Sequence, residues 1–161
     1  MTPAAPPRLL FVCLGNICRS PLAEAAMRAA ADRAGLAVEV DSAGTGDWHV
    51  GRPPDPRAIA TAARYGLDIS GLRGRQVSVE DFRRFDHVIA LDRSNMAVLR
   101  GLQPTDTRAA LSMLLDHVDG RHGQDIADPY FGEDERFEVS WRDIGLGVDG
   151  LLAMLRAQPS G

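Results

Sequence analysis

Lysine is missing from this 161-residue chain, and all eighteen basic residues are arginine. No arginine cluster accompanies that bias, so it reads as a genomic composition effect rather than a binding surface. An excess of basic charge is missing too. The net charge is −4, which argues against a nucleic-acid partner, because such proteins normally carry a basic face. Only two cysteines occur, Cys13 and Cys18, and two do not make the disulfide framework of a small secreted protein. No apolar run approaches the ~20 residues that a membrane-spanning helix needs. Met1 to Pro7 lacks the charged and apolar regions of a signal peptide. These absences predict a cytoplasmic protein with no membrane partner. The four histidines, His49, His87, His117 and His122, lie scattered without metal-ligand spacing and read as structural or solvated.

What is present fits one globular domain. The apolar fraction of 45% and charged fraction of 25% are ordinary for a soluble core-forming chain of this length. Met1 to Pro7, with three prolines, reads as a loose tail, and residues 8–158 as a single domain with no internal repeat or linker. Strand signals at Leu9–Cys13, Val38–Ser42, His87–Leu91 and Ala109–Leu114 alternate with helical ones. The first helix is expected from Pro21 towards Ala34, closed by Gly35, and the second from Asp55-Pro56 to near Tyr65. A short helix opens at Ser78–Asp81, and another spans Ser94–Leu102. In the last helix Phe137, Trp141, Ile144, Val148, Leu151 and Leu155 recur every three or four residues, although Gly145, Gly147 and Gly150 weaken its middle. Such alternation predicts an α/β fold, a parallel sheet covered on both faces, with ligands at the carboxyl ends of the strands.

One such end carries Cys13-Leu14-Gly15-Asn16-Ile17-Cys18-Arg19-Ser20-Pro21. A loop running into a helix N-terminus presents unpaired N–H groups and the positive end of a dipole, which together attract an anion. A cysteine at its mouth is expected to be acidified by those donors and by Arg19. Gly15 allows close approach of the backbone to a ligand, and Asn16 tolerates a left-handed conformation. Arg19 can grip two oxygens of a phosphate with its planar fork. Ser20 reads as a helix N-cap. The local chemistry is that of a nucleophilic thiolate beneath a bound oxyanion.

This string, cysteine, five residues, arginine and then Ser-Pro, with the internal Gly-Asn and second cysteine, resembles the signature loop of the low-molecular-weight protein-tyrosine phosphatases. The resemblance implies a three-layer α/β/α fold around a central four-stranded parallel sheet. It implies a phosphatase working through a phosphocysteine intermediate, with no cofactor or metal. Asp128-Pro129-Tyr130 looks like the late Asp-Pro loop of the family, which makes Asp128 the general acid and base. Cys13 is then the nucleophile, and Leu14 to Cys18 with Arg19 hold the phosphate. The Ser20 hydroxyl assists departure of the cysteine. Leu14, Trp48 and Tyr130 match positions that flank the phosphotyrosine ring, where aromatic faces reward an aryl ester. Cys18 is either a packing residue or, as the family often has it, the partner of Cys13 in a reversible disulfide. The implied partners are a phosphotyrosine-bearing protein and a tyrosine kinase that such an enzyme opposes; the chain is expected to act as a monomer.

Ile17 looks like the tyrosine-directed branch, because relatives acting on phosphoarginine typically carry threonine there. One departure lies in Leu72-Arg73-Gly74-Arg75-Gln76, where many members have a histidine at the position of Arg73 that orders the Asn16 and Ser20 network. The alternatives are an arginine phosphatase of the same fold, a phosphocarrier needing neither Arg19 nor Asp128, and a non-catalytic phosphotyrosine-binding module. A thioredoxin-coupled arsenate reductase would need further cysteines, which this chain lacks.

Overall fold

The apolar run after the leading prolines becomes the inner strand of the sheet. In the computed structural model, which describes residues 5–107 and 109–158, β1 (Arg8–Cys13) is buried from Leu9 to Cys13. It runs between β2 (Glu39–Gly44) and β3 (His87–Ala90), and β4 (Ala110–Met113) completes the order β2-β1-β3-β4. Every pairing is parallel. A strand buried on both faces has no solvent side, hence the continuous apolar run.

Side chains alternate along β1, so the strand feeds two separate cores. Leu9, Phe11 and Cys13 point to the layer of α1 (Arg19–Ala34), α2 (Pro56–Arg64) and α5 (Asp134–Ala157). Leu10 and Val12 point the other way, to α3 (Asp81–Arg84) and α4 (Arg93–Leu102). The arrangement is the three-layer α/β/α sandwich with a four-stranded parallel sheet that the sequence implied. Residues 1–4 of the expected tail lie outside the described residues, and the Pro7 carbonyl accepts from Glu39 N at 2.9 Å, beside the start of β2.

Several boundaries moved. β2 starts one residue later than expected and runs on to Gly44, which brings its end against the Cys13 loop. β4 gives way to a 3-10 turn at Leu114–His117. α5 is unbroken over 24 residues despite its glycines. Two of those glycines are points of close approach: a Cβ at Gly150 would lie 1.9 Å from the His117 carbonyl oxygen, and one at Gly147 2.4 Å from Leu114. They let α5 lie directly on the turn after β4. The N-cap expectation for Ser20 needs correction. α1 begins at Arg19, its N-cap is Cys18, and no side chain caps it. The Ser20 hydroxyl turns back beneath the loop instead.

Candidate active site

At the carboxyl end of β1 the chain makes a tight loop before α1, and the carbonyls of that loop are tied outward. Cys13 O accepts from Thr45 N at 2.9 Å, Leu14 O from Gly46 N at 3.0 Å and Ile17 O from Asp55 N at 2.8 Å. Among the described residues, the amides of Leu14 to Cys18 donate to no protein group. Five successive N–H groups are thereby left to an outside acceptor beside Cys13, at the start of a helix. Asn16 sits at the centre with φ 58°, the one positive φ outside glycine among the described residues. Gly44 makes that packing possible, since a Cβ there would lie 2.8 Å from Leu14 O and 3.2 Å from Asn16 N.

Beneath the loop a chain of polar side chains runs from the sheet to Cys13. Glu24 on α1 is only 3% exposed and accepts from Ser42 Oγ at 2.7 Å. Ser42 Oγ accepts from Asn16 Nδ2 at 3.0 Å, and the same amide donates to Ser20 Oγ at 2.8 Å. Ser20 Oγ lies 3.0 Å from Cys13 Sγ. The groups themselves set the directions: Ser42 gives its proton to Glu24, and the Asn16 amide donates to both hydroxyls. The Ser20 proton can then meet the sulfur at 3.0 Å, with the Ala43 carbonyl at 3.5 Å as its other acceptor. Asn16 Oδ1 accepts from Arg75 N at 3.0 Å, which locks its side chain. Arg73 takes no part. Its guanidinium donates to the carbonyls of Ser70 and Leu72, so Glu24 and the Arg75 backbone order the network without a histidine at position 73.

Arg19 is 2% exposed and reaches under the sheet's end. Its Nη1 donates to Asp92 Oδ2 at 2.7 Å and to the Ile126 carbonyl at 2.8 Å, and its Nη2 lies 3.6 Å from Asp128 Oδ2. Burial works to lower its pKa, but Cys13, Asp92 and Asp128 outweigh burial and hold it above the ordinary value. Asp92 also caps α4, accepting from Asn95 N at 2.7 Å. Asp128 is half-exposed at the mouth, where its Oδ1 accepts from Tyr130 N at 3.1 Å.

Cys13, Leu14, Gly15, Ile17, Cys18, Arg19, Trp48, Asp128 and Tyr130 line one cavity of about 230 Å³ together with His49 and Phe131. Asn16 and Ser20 lie buried below it. Trp48 is 69% exposed, a cleft wall rather than a core residue. Tyr130 and Phe131, in the same lining, meet edge to face at 4.8 Å. Both cysteines are free and buried, and burial with the charge of Asp55 pushes the Cys18 thiol up. Among the described residues no three His, Cys, Asp or Glu side chains form a metal-binding group, and no helix is long and apolar enough to cross a membrane. The cavity thus brings a thiol, a buried cation, free amides and an accessible carboxyl group around one space with aromatic walls.

Glu24, Ser42, His49, Asp92 and Phe131 were not picked out from the sequence. A signal existed for Glu24, a charged residue on the alanine-rich face of α1 one turn after Ser20. For His49 and Phe131 the signal was adjacency to Trp48 and Tyr130; Ser42 and Asp92 carried none.

The family model described as low molecular weight phosphotyrosine protein phosphatase matches residues 8–160. A low molecular weight protein-tyrosine-phosphatase of Streptomyces coelicolor is 45% identical over 161 residues, covering 96% of each chain. The crystal structure of YfkJ from Bacillus subtilis superposes with a TM-score of 0.87 at 39% identity, over 94% of this chain and 96% of that one. A Drosophila arginine phosphatase superposes equally well, with a TM-score of 0.88 at 29% identity, over 94% and 99% of the two chains.

Proposed function

The chain belongs to the low molecular weight phosphotyrosine protein phosphatases, and from that premise we propose that it hydrolyses protein phosphotyrosine through a phosphocysteine on Cys13. Loop amides and the Arg19 fork bind the phosphoryl oxygens, and the Cys13 thiolate attacks phosphorus in line. The S–P bond forms as the P–O bond to the phenol breaks, and Asp128 gives the leaving oxygen its proton. The carboxylate so formed then takes a proton from water, whose oxygen attacks the phosphocysteine. Sulfur leaves as thiolate, met by the Ser20 proton. The observation that carries this reading is the run of unpaired amides from Leu14 to Cys18 between a buried guanidinium and a carboxyl at the mouth.

Trp48 and Tyr130, both lining the cavity, support an aromatic ester, and Ile17 in its lining supports tyrosine over arginine. The fold alone does not separate the two, since the arginine phosphatase shares it. The reading extends to a reversible Cys13–Cys18 disulfide, supported by two free thiols lining one cavity. It extends further to a single catalytic domain over residues 8–158, acting as a cytoplasmic monomer on the products of a tyrosine kinase.

Matched phosphotyrosine, phosphoarginine and phosphoserine peptides, offered to the native protein and to Cys13→Ser, test it. Turnover of phosphotyrosine, lost in the variant while phosphate still protects the fold against heat, is the expected result. Preference for phosphoarginine would overturn the Ile17 argument alone, and turnover by Cys13→Ser would overturn the mechanism.

A further inference from the structure

The segment that carries Asp128 is fastened on both sides, by different means. Ahead of it, the Ile126 carbonyl accepts from Arg19, Ile126 N donates to Leu91 O at 2.8 Å, and the Ala127 carbonyl accepts from Ser140 Oγ at 2.8 Å. Behind it, a single side chain reaches across from α2. Arg57 donates from Nη2 to the Tyr130 carbonyl at 2.8 Å and from Nη1 to the Gly132 carbonyl at 3.0 Å. Its Nε and Nη2 also donate to the Asp55 carboxylate at 3.1 and 3.0 Å. Asp55 is itself joined to the Cys13 loop through its backbone N–H to Ile17 O, at 2.8 Å. The guanidinium carbon lies 5.8 Å from the Tyr130 ring centre and 4.8 Å from that of Phe137.

We propose that Arg57 is a positioning residue for proton transfer: it clamps the Asp128 segment to the Cys13 loop, so that acid and nucleophile keep a fixed separation. The proposal rests on Asp128 as the acid. Four donor contacts to three acceptors in different directions require the planar fork of arginine. The point charge of lysine cannot span them. Without the clamp, the hydrogen bonds behind Asp128 as far as Gly132 are local among the described residues, Tyr130 N to Asp128 Oδ1 at 3.1 Å and Gly132 N to Pro129 O at 3.0 Å, and the carboxyl group loses its fixed aim.

The test measures kcat/KM for phenyl phosphate, a poor leaving group, and p-nitrophenyl phosphate, a good one, in Arg57→Met, Arg57→Lys, Asp128→Asn and the double variant. A misplaced acid harms the poor leaving group selectively. Arg57→Met is expected to lose about 10–100-fold on phenyl phosphate and under about 3-fold on p-nitrophenyl phosphate, less than the roughly 10²–10⁴-fold that a general acid contributes when removed outright. Arg57→Lys recovers part of that loss. In the Asp128→Asn background the same change costs under about 2-fold, because the group it serves is gone. Equal losses on both esters, or an undiminished loss beside Asp128→Asn, would show that Arg57 merely supports the fold and would overturn the proposal. If Arg57→Met does not fold, Arg57→Lys carries both comparisons. An Asp128→Asn enzyme without leaving-group dependence sinks the acid assignment and the clamp together. Dependence on Asp128 alone sinks only the clamp.

Discussion

Ser42 joins the buried carboxylate of Glu24 to the sulfur of Cys13, and removing one oxygen there separates structure from chemistry. In Ser42→Ala, Glu24 Oε1 loses a donor at 2.7 Å and Asn16 loses an acceptor at 3.0 Å, both away from water. Each unmade bond on a buried polar group costs about 1–3 kcal/mol. Glu24 keeps Arg28 at 2.8 Å, which moderates its share. A total of about 2–4 kcal/mol lowers the melting temperature by roughly 5–15 °C for a chain of this size. The chemical effect is separate. With Ser42 gone, one Asn16 N–H is left without its acceptor, and the amide that holds Ser20 against the sulfur is less firmly placed. A hydrogen bond to a charged atom is worth about 1.5–3 kcal/mol, or about 10–150-fold in the rate of expelling the thiolate. Rapid mixing with p-nitrophenyl phosphate reads the two steps apart. The first turnover should keep its speed while the steady rate falls, and acid quench should trap more phosphocysteine. Ser42→Thr, which keeps the hydroxyl, should restore most of the rate. A melting temperature that drops with an unchanged steady rate would refute the directed chain of hydrogen bonds.

Acid should weaken the fold through two histidines. Burial pushes His87 and His117 below the ordinary value of 6.5. The unfolded chain therefore binds more protons than the folded one just below that pH; stability is full above about 6.5 and falls as pH drops beneath it. Urea midpoints at pH 7.5 and 5.5 check this, and His117→Gln, which can still meet Ser112, should lose less on acidification than the native protein; an equal loss would acquit His117. Along α5, Gly150→Ala should destabilise by about 1–3 kcal/mol despite the better helix propensity of alanine, because its Cβ meets the His117 carbonyl at 1.9 Å. Gly145→Ala meets nothing within 4 Å and should stabilise by about 0.5–1 kcal/mol; thermal melts of the pair should move in opposite directions.

The parts legible in the sequence were those written in neighbouring residues. Cys13 to Arg19 declared itself because a strand, a loop and a helix start are local patterns, and the alternation of elements foretold the layers. The N-cap reading of Ser20 failed because Ser-Pro is also an ordinary helix-start signal, and only the family resemblance, nothing local, pointed its hydroxyl to Asn16 and Cys13. The glycines of α5 looked like weaknesses because propensity sees the helix alone and not the turn packed against it. Asp92 and Arg57 stayed silent for a simpler reason. Their partners lie 73 to 75 positions away, and only the folded sheet brings them together.

The inner position of β1 has a consequence for how such a chain comes into being. The strand that delivers Cys13 is made before both of its neighbours, the strands at 39–44 and 87–90. The Asp128 segment follows later still, steadied by Ser140 on the last helix. On a ribosome the two thiols emerge ahead of their partners and wait while over a hundred further residues, up to Asp128, are added. Parallel pairing over such spans is slow, because long loops must close before any contact rewards them. The site therefore assembles only once the chain through Ser140 has been made, and its reactive sulfur is most exposed to oxidants before that moment.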